Sequence, residues 1–189
     1  MIKIYGAKDY ITMPWKNGLG FTSQMVIEPC TAQFPDDAFK WRLSSAPILS
    51  SGTFSRFAGY DRILMLSSGT GLKIGNKLFN LFDSLHFSGD EIFHAELTEG
   101  PVQDLGFIYD RKKIKAEMVV KKVGISVGTM NAHSGDPTLL IYCLEESIQV
   151  LNHGIKKGEL ARIENEANPI SLRPHPKCRW VEIKITYLA

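Results

Sequence analysis

Apolar and polar residues alternate with a period of two along most of the chain, most sharply at the C-terminus. Over residues 177–187, Val181, Ile183, Ile185 and Tyr187 point one way while Glu182, Lys184 and Thr186 point the other. β-Branched and aromatic side chains at alternate positions predict a half-buried strand. Residues 72–81 predict a hairpin, with Gly75 and Asn76 as a two-residue turn between two short apolar runs. Further strands are predicted over 41–46, 62–66, 91–97, 103–109, 117–123, 125–130, 139–144 and 148–151. Helical periodicity is weak. The best helix by propensity, 158–166, is short and bracketed by Gly158 and Pro169, so it too is read as a strand. Sixteen glycines and nine prolines punctuate these runs at the spacing of an all-β sandwich or barrel.

Length and charge narrow this picture. A chain of 189 residues holds one domain or two small fused lobes. The basic run over 110–116 reads as a solvated seam, giving an N-terminal lobe 1–113 and a C-terminal lobe 114–189. No internal repeat relates the two, although the length permits two eight-strand jelly rolls. The net charge of +2 excludes a dedicated nucleic-acid binder, which would show a strongly basic face. No apolar run reaches the roughly 18 residues of a membrane span, and the first residues lack a signal-peptide pattern. The expectation is a cytoplasmic protein without a membrane partner. Cys30, Cys143 and Cys178 are widely spaced and form no C-x-x-C pair, so neither a disulfide framework nor a zinc knuckle is indicated. Cys143, within an apolar run, reads as a small buried hydrophobe.

Unusual chemistry clusters in the first lobe. Trp15, Lys16, Asn17, Gly18, Gly20 and Thr22 form W-K-N-G-x-G-x-T, whose glycines let backbone approach a ligand closely. The segment lacks the Gly-Lys-Ser/Thr ending of a P-loop and no helix pattern follows, which rejects phosphate cradling of that kind. Residues 41–46 read W-R-x-S-x-A, residues 54–62 read F-S-x-F-x-G-x-D-R, residues 87–90 read F-x-G-D, and residues 100–104 read G-P-V-x-D.

In this order the five segments resemble the HutD/Ves family of bacterial proteins, most closely over residues 10–110. Two departures stand out: Gln24 occupies a position that is often Glu, and Ala58 one that is commonly Pro. The resemblance implies an all-β bicupin, two double-stranded β-helix (jelly-roll) lobes in one chain, in agreement with the strand count. It also implies a small-molecule binder or regulator linked to histidine utilisation or stress, without an established activity. A formylated amino acid from histidine degradation is the ligand class that the resemblance suggests.

Metal chemistry has little support from the residues. His86, His94, His133, His153 and His175 form no His-x-His pair, and Ser88, Gly89 and Asp90 break the strand between the nearest two. No cofactor, metal or catalytic residue is therefore assigned. The candidate ligand-binding residues are Arg62, Asp61, Tyr60, Trp15, Asn17, Thr22 and Trp41. Arg62, with Asp61 limiting its rotamers, offers a planar fork for a carboxylate, or else a structural ion pair. Trp15 and Trp41 wall an apolar pocket or fill core. Asn17 and Thr22 make polar contacts or cap a turn. Arg42 is read as structural and Asp90 as fixing its own turn.

The expected role is a sensor or regulator that binds a small anionic metabolite in the first lobe. Two alternatives stay open: a metal-free isomerase or hydrolase using Asp61 with His94 or Glu96, and an interaction module whose exposed sheet forms a homodimer. The second lobe is expected to complete the core and cover sheet edges.

Overall fold

The structure, a computed structural model, describes residues 1–15, 20–123, 138–166 and 169–188. In chain order the strands are β1 (Ile2–Tyr5), β2 (Ile11–Pro14), β3 (Phe21–Glu28), β4 (Trp41–Ile48), β5 (Gly52–Thr53), β6 (Tyr60–Ser68), β7 (Leu72–Ile74), β8 (Lys77–Phe79) and β9 (Ser84–Ser88). They continue with β10 (His94–Leu97), β11 (Val102–Asp110), β12 (Ile114–Lys122), β13 (Thr138–Glu145), β14 (Ser147–Val150), β15 (His153–Lys156), β16 (Leu160–Ile163), β17 (Leu172–Pro174) and β18 (Arg179–Tyr187). A 3-10 turn at Ala7–Asp9 is the one helical element among the described residues. The fold class is therefore all-β, as the alternation predicts.

The chain divides into two compact units, Tyr10–Lys113 and the combination of Met1–Asp9 with Ile114–Ala189. This corrects the expected lobe 1–113 at its start. Strand β1 pairs antiparallel with β16, Ile2 opposite Ile163 and Tyr5 opposite Leu160, so the first nine residues belong with the later part of the chain. The apolar alternation in Met1-Ile2-Lys3-Ile4-Tyr5 marks a strand but carries no information about its partner.

The Tyr10–Lys113 unit has a six-stranded sheet, order β2-β3-β4-β11-β6-β9, and a four-stranded sheet, order β5-β10-β7-β8. Ile48, Leu64, Leu66 and Phe87 of the larger sheet form one buried cluster with Leu72, Ile74, Phe79 and Ala95 of the smaller. That shared cluster defines the interior. Side chains alternate across a strand, so Arg42, Ser44, Ala46 and Ile48 share one face of β4. In register with them on β11 stand Ile108, Gly106, Asp104 and Val102. The predicted hairpin forms as β7 and β8, with Ile74 opposite Lys77 and Gly75 at a φ of 59°.

The other unit has a five-stranded sheet, order β1-β16-β13-β18-β12, and a three-stranded sheet, order β15-β14-β17. Its core gathers Leu139, Ile141, Cys143, Ile148, Val150, Ile155, Ala161, Ile163 and Trp180. Cys143 and Cys178 are buried free thiols in this cluster, and burial pushes the Cys178 thiol up to about 12. Residues 160–163, the uncertain helix candidate, form β16. The strand predicted over 125–130 lies outside the described residues, as does His133.

Candidate ligand site in the Tyr10–Lys113 unit

The interior face of the six-stranded sheet is apolar at one end and charged in its middle. Antiparallel register places Arg42 on β4 opposite Ile108 on β11, and Ile108 opposite Arg62 on β6. Two arginines thus flank one strand on a single row, with backbones about 10 Å apart at roughly 4.8 Å per strand spacing. In the next row Ser44 faces Gly106, and beyond it Ala46 faces Asp104. Gln24 on β3 stands opposite Ser44. Gln24, Arg42, Ser44 and Asp104 are all buried polar residues, each no more than 8% exposed.

Arg42 is held on most of its donors. Its Nε donates to Gln24 Oε1 at 2.8 Å and its Nη1 to Ser44 Oγ at 3.1 Å. The guanidinium carbon lies 3.9 Å from the centre of the Phe34 ring, within cation–π range. Its Nη2, also buried, makes no hydrogen bond among the described residues. A buried guanidinium donor is costly to leave unmatched, so this atom has donor capacity to spare. Burial, only partly offset by Asp104 and aggravated by Arg62, lowers the Arg42 pKa to about 10.

Arg62 is half-buried and differently held. Its Nη1 donates to the carbonyl of Ser55 at 3.0 Å, and its guanidinium lies 5.4, 5.3 and 4.9 Å from the rings of Phe54, Phe57 and Phe87. Burial again lowers its pKa to about 10, against the attraction of Asp104. Asp104 accepts from the Ala46 backbone N–H through Oδ1 at 2.8 Å, and no hydrogen bond to its other oxygen forms among the described residues. Burial pushes the Asp104 carboxyl up to about 6, opposed by that N–H and by the two arginines. Two cations thus meet a single carboxylate, and the interior carries a net positive charge.

Gly106 leaves room between them. A Cβ there would meet only the carbonyl oxygen and Oγ of Ser44, at 3.9 and 4.0 Å. A glycine inside a strand weakens it and often marks a place where another group approaches closely.

The sequence-derived candidates fare unevenly. Arg62 faces the interior as expected, but Asp61 does not orient it. Neighbouring residues on a strand point to opposite faces, and Asp61 instead pairs with Arg111 Nε at 3.0 Å. Arg111 also bonds Asp90 at 2.6 Å, the Tyr60 carbonyl and Ser88 Oγ. Asp90 in turn accepts from the Gly59 N–H, so it ties two turns together rather than fixing its own alone. Tyr60 stacks on Phe39 at 4.5 Å and exchanges hydrogen bonds with the Phe39 backbone, which makes it part of an aromatic wall with Phe34 and Phe57.

Trp41 is fully buried on the opposite face of β4 and stacks on Phe107 at 6.0 Å, so it does not line the site. Trp15 donates from its indole N–H to Thr22 Oγ1 at 2.9 Å, and Thr22 shares the face of Gln24, at the β3 edge of the polar row. Asn17 lies outside the described residues. The proposed proton-transfer partners are dispersed: His94 is exposed opposite Thr53, and Glu96 pairs with Lys73 at 3.2 Å.

Sequence reasoning missed Arg42, Gln24, Ser44, Asp104 and Gly106 as one site. Their signal was parity: each is a polar residue or glycine on the interior face of a strand otherwise rich in apolar residues.

Comparison with known proteins supplies the family. The HutD profile matches residues 7–179. The chain is 32% identical over 154 residues to a 21.2 kDa protein of the hutC 3′ region of Pseudomonas putida, covering 79% of this chain and 77% of that one. Among solved structures it is similar to HutD from Pseudomonas fluorescens SBW25, described under a formate condition, with 28% identity, a TM-score of 0.82 and full coverage of both chains. A cupin 2 conserved barrel domain protein from Leptotrichia buccalis shares the fold, at 15% identity, a TM-score of 0.50, and 98% and 96% coverage. The chain belongs to the HutD family and has its cupin-like all-β fold.

Proposed function

We propose that the interior of the Tyr10–Lys113 unit binds a small carboxylate between Arg42 and Arg62, and that the protein senses or regulates through that binding rather than by catalysis. The observation that carries this reading is the buried Arg42 Nη2 without a partner, beside a second interior arginine and a glycine that leaves space. A carboxylate entering an apolar interior loses its hydration and needs fixed cationic donors in exchange. Arg42 is suited to this because its nearest side-chain partners are an amide and a hydroxyl, which orient it without cancelling its charge.

Formate is the first probe, in keeping with the conditions of the similar Pseudomonas fluorescens HutD structure. Formylated amino acids are the second. The name of the Pseudomonas putida relative, which places it beside hutC, supports a link to amino-acid catabolism.

Calorimetric titration of wild type, Arg62→Lys and Arg62→Ala tests the reading, with circular dichroism checking each fold. Lysine keeps the charge and loses the planar fork, so Arg62→Lys weakens binding and Arg62→Ala weakens it more, by about 30-fold or beyond. A folded Arg62→Ala protein that binds formate and formylated amino acids as tightly as wild type removes Arg62 from the site. Ligand-dependent thermal stabilisation separates a binding protein from a pure interaction module, and turnover of the bound compound would make it an enzyme.

A further inference from the structure

The two arginines account for the anionic end of a ligand, but the interior also presents an acceptor. Asp104 sits two residues before Gly106 on β11, on the same face, one row beyond the Ser44–Gly106 pair. It is 8% exposed, and its Oδ1 is taken by the Ala46 N–H at 2.8 Å. Its Oδ2 accepts nothing among the described residues. Ser45, its neighbour across the strand pair, points to the other face and donates to the Asp104 backbone carbonyl, so it does not serve the carboxylate. The charged groups that bear on Asp104 are Arg42 from β4 and Arg62 from β6. Oδ2 is not among the fully buried unpaired side-chain atoms, so it keeps surface at which a donor can approach. The same sheet face thus carries donors and an acceptor in the rows on either side of Gly106.

We propose that the ligand is a carboxylate that also carries an N–H or O–H group, and that Asp104 is the specificity-determining residue that accepts this hydrogen bond. The inference rests on the carboxylate reading above and narrows it. The arginines hold any small carboxylate, whereas Asp104 discriminates among them. An amide or hydroxyl donor beside the carboxylate satisfies Oδ2, while an ester, ether or fluorine at that position sets two acceptors against each other. Sites built to hydrogen-bond a ligand N–H or O–H reject analogues that lack it far more strongly than apolar pockets reject a missing methylene. N-Acylated amino acids and 2-hydroxy acids meet the requirement; plain alkyl carboxylates do not.

Matched pairs test the proposal at pH 7.5, by calorimetry on the full-length protein. Glycolate is compared with fluoroacetate, and N-acetylglycine with acetoxyacetate, each pair keeping charge and size while exchanging the donor for an acceptor. Wild type is expected to prefer the donor-bearing member of at least one pair by about tenfold or more. Asp104→Asn keeps an oxygen for the Ala46 N–H and turns an amide donor toward the ligand, so that preference disappears or inverts. Equal affinity for both members of each pair in wild type overturns the Asp104 assignment and leaves the arginine site standing. Failure of every carboxylate, formate included, to bind overturns the arginine site and this inference with it. The wild-type comparison decides the question even if the variant does not fold.

Discussion

The two units solve the same packing problem with different interiors. In the unit containing β13, β16 and β18, the core residues Leu139, Ile141, Cys143, Ile148, Val150, Ile155, Ala161, Ile163 and Trp180 are apolar or thiol-bearing. In the Tyr10–Lys113 unit the larger sheet carries Arg42, Asp104, Gln24 and Ser44 on its interior face, and Gly106 where a side chain would fill space. Hydrophobic burial is the favourable route to a stable β interior, and buried charges usually cost stability unless fully matched. The comparison therefore teaches that the polar row is not a requirement of this architecture. The other unit also buries Thr138 and Arg162, but outside its apolar cluster, and that difference supports the proposed ligand.

The largest effect that sharpens this contrast comes from the apolar unit. Ile141→Ala removes a fully buried side chain from its core and costs about 2–5 kcal/mol of stability. Thermal or urea unfolding measures the loss, and formate affinity at a temperature where the variant is folded stays within twofold of wild type. A tenfold change in affinity in the folded variant would show that the apolar unit takes part in binding. The reverse pattern is expected of Arg42→Met. Relief of a desolvated cation offsets the partners stranded at Gln24 and Ser44, and stability shifts by no more than about 1–2 kcal/mol. Formate affinity, read by calorimetry, falls roughly 30-fold or more. Retained binding together with a large loss of stability would make Arg42 a structural post.

The fold was largely legible because period two is robust wherever one face of a strand is buried. Strands β7, β8, β13 and β18 follow the predicted runs closely. Strand β3 was not read, and its reason is local. A register shift between Gln24 and Val26 breaks the alternation, and Gln24, Met25, Val26 and Ile27 are all buried in succession. The site was less legible than the fold. Arg62 stands out in the sequence because a fork-shaped cation beside an apolar run is conspicuous, but the partner expected for it lies one residue away, where strand geometry turns the side chain to the other face. Arg42 and Asp104 belong together only once β4 and β11 are paired in register, since they stand 62 positions apart in the chain. Sequence proximity pairs Arg62 with Asp61, whereas strand pairing puts Asp104 on the face of Arg62 and leaves Asp61 with Arg111.

The contrast sharpens further at Gln24. Its amide oxygen orients Arg42 without neutralising it. Gln24→Glu keeps the acceptor and adds a charge in direct contact with the guanidinium, so the engineered carboxylate competes with the ligand for the same cation. Formate affinity is expected to fall about tenfold, with the melting temperature held or raised by the new ion pair. A variant that binds formate as well as wild type would show that the charge of Arg42 is not what the ligand uses.

The smallest expected effect is a pH dependence that belongs to the polar interior alone. Asp104 is raised to about 6 in the folded protein, mainly by burial, whereas an unfolded aspartate titrates near 3.9. Between about pH 4 and pH 6 the folded state therefore holds more of this proton than the unfolded state, and linkage makes stability decrease as pH rises through that window. Above about pH 6 the contribution levels off with Asp104 ionised in both states. Other carboxylates titrate in the same range, so the diagnostic quantity is the difference between wild type and Asp104→Asn in melting temperature across pH 4–7; the variant lacks the descending component. Binding follows the same proton. Formate has no hydrogen-bond donor when ionised, so an ionised Asp104 only repels it, and its affinity is expected to fall about threefold to tenfold from pH 5 to pH 7. A compound that donates to Asp104 gains a charge-assisted contact as the carboxyl ionises, which flattens or reverses that decline. Parallel pH profiles for formate and N-acetylglycine would show that Asp104 acts on the ligand only through its charge.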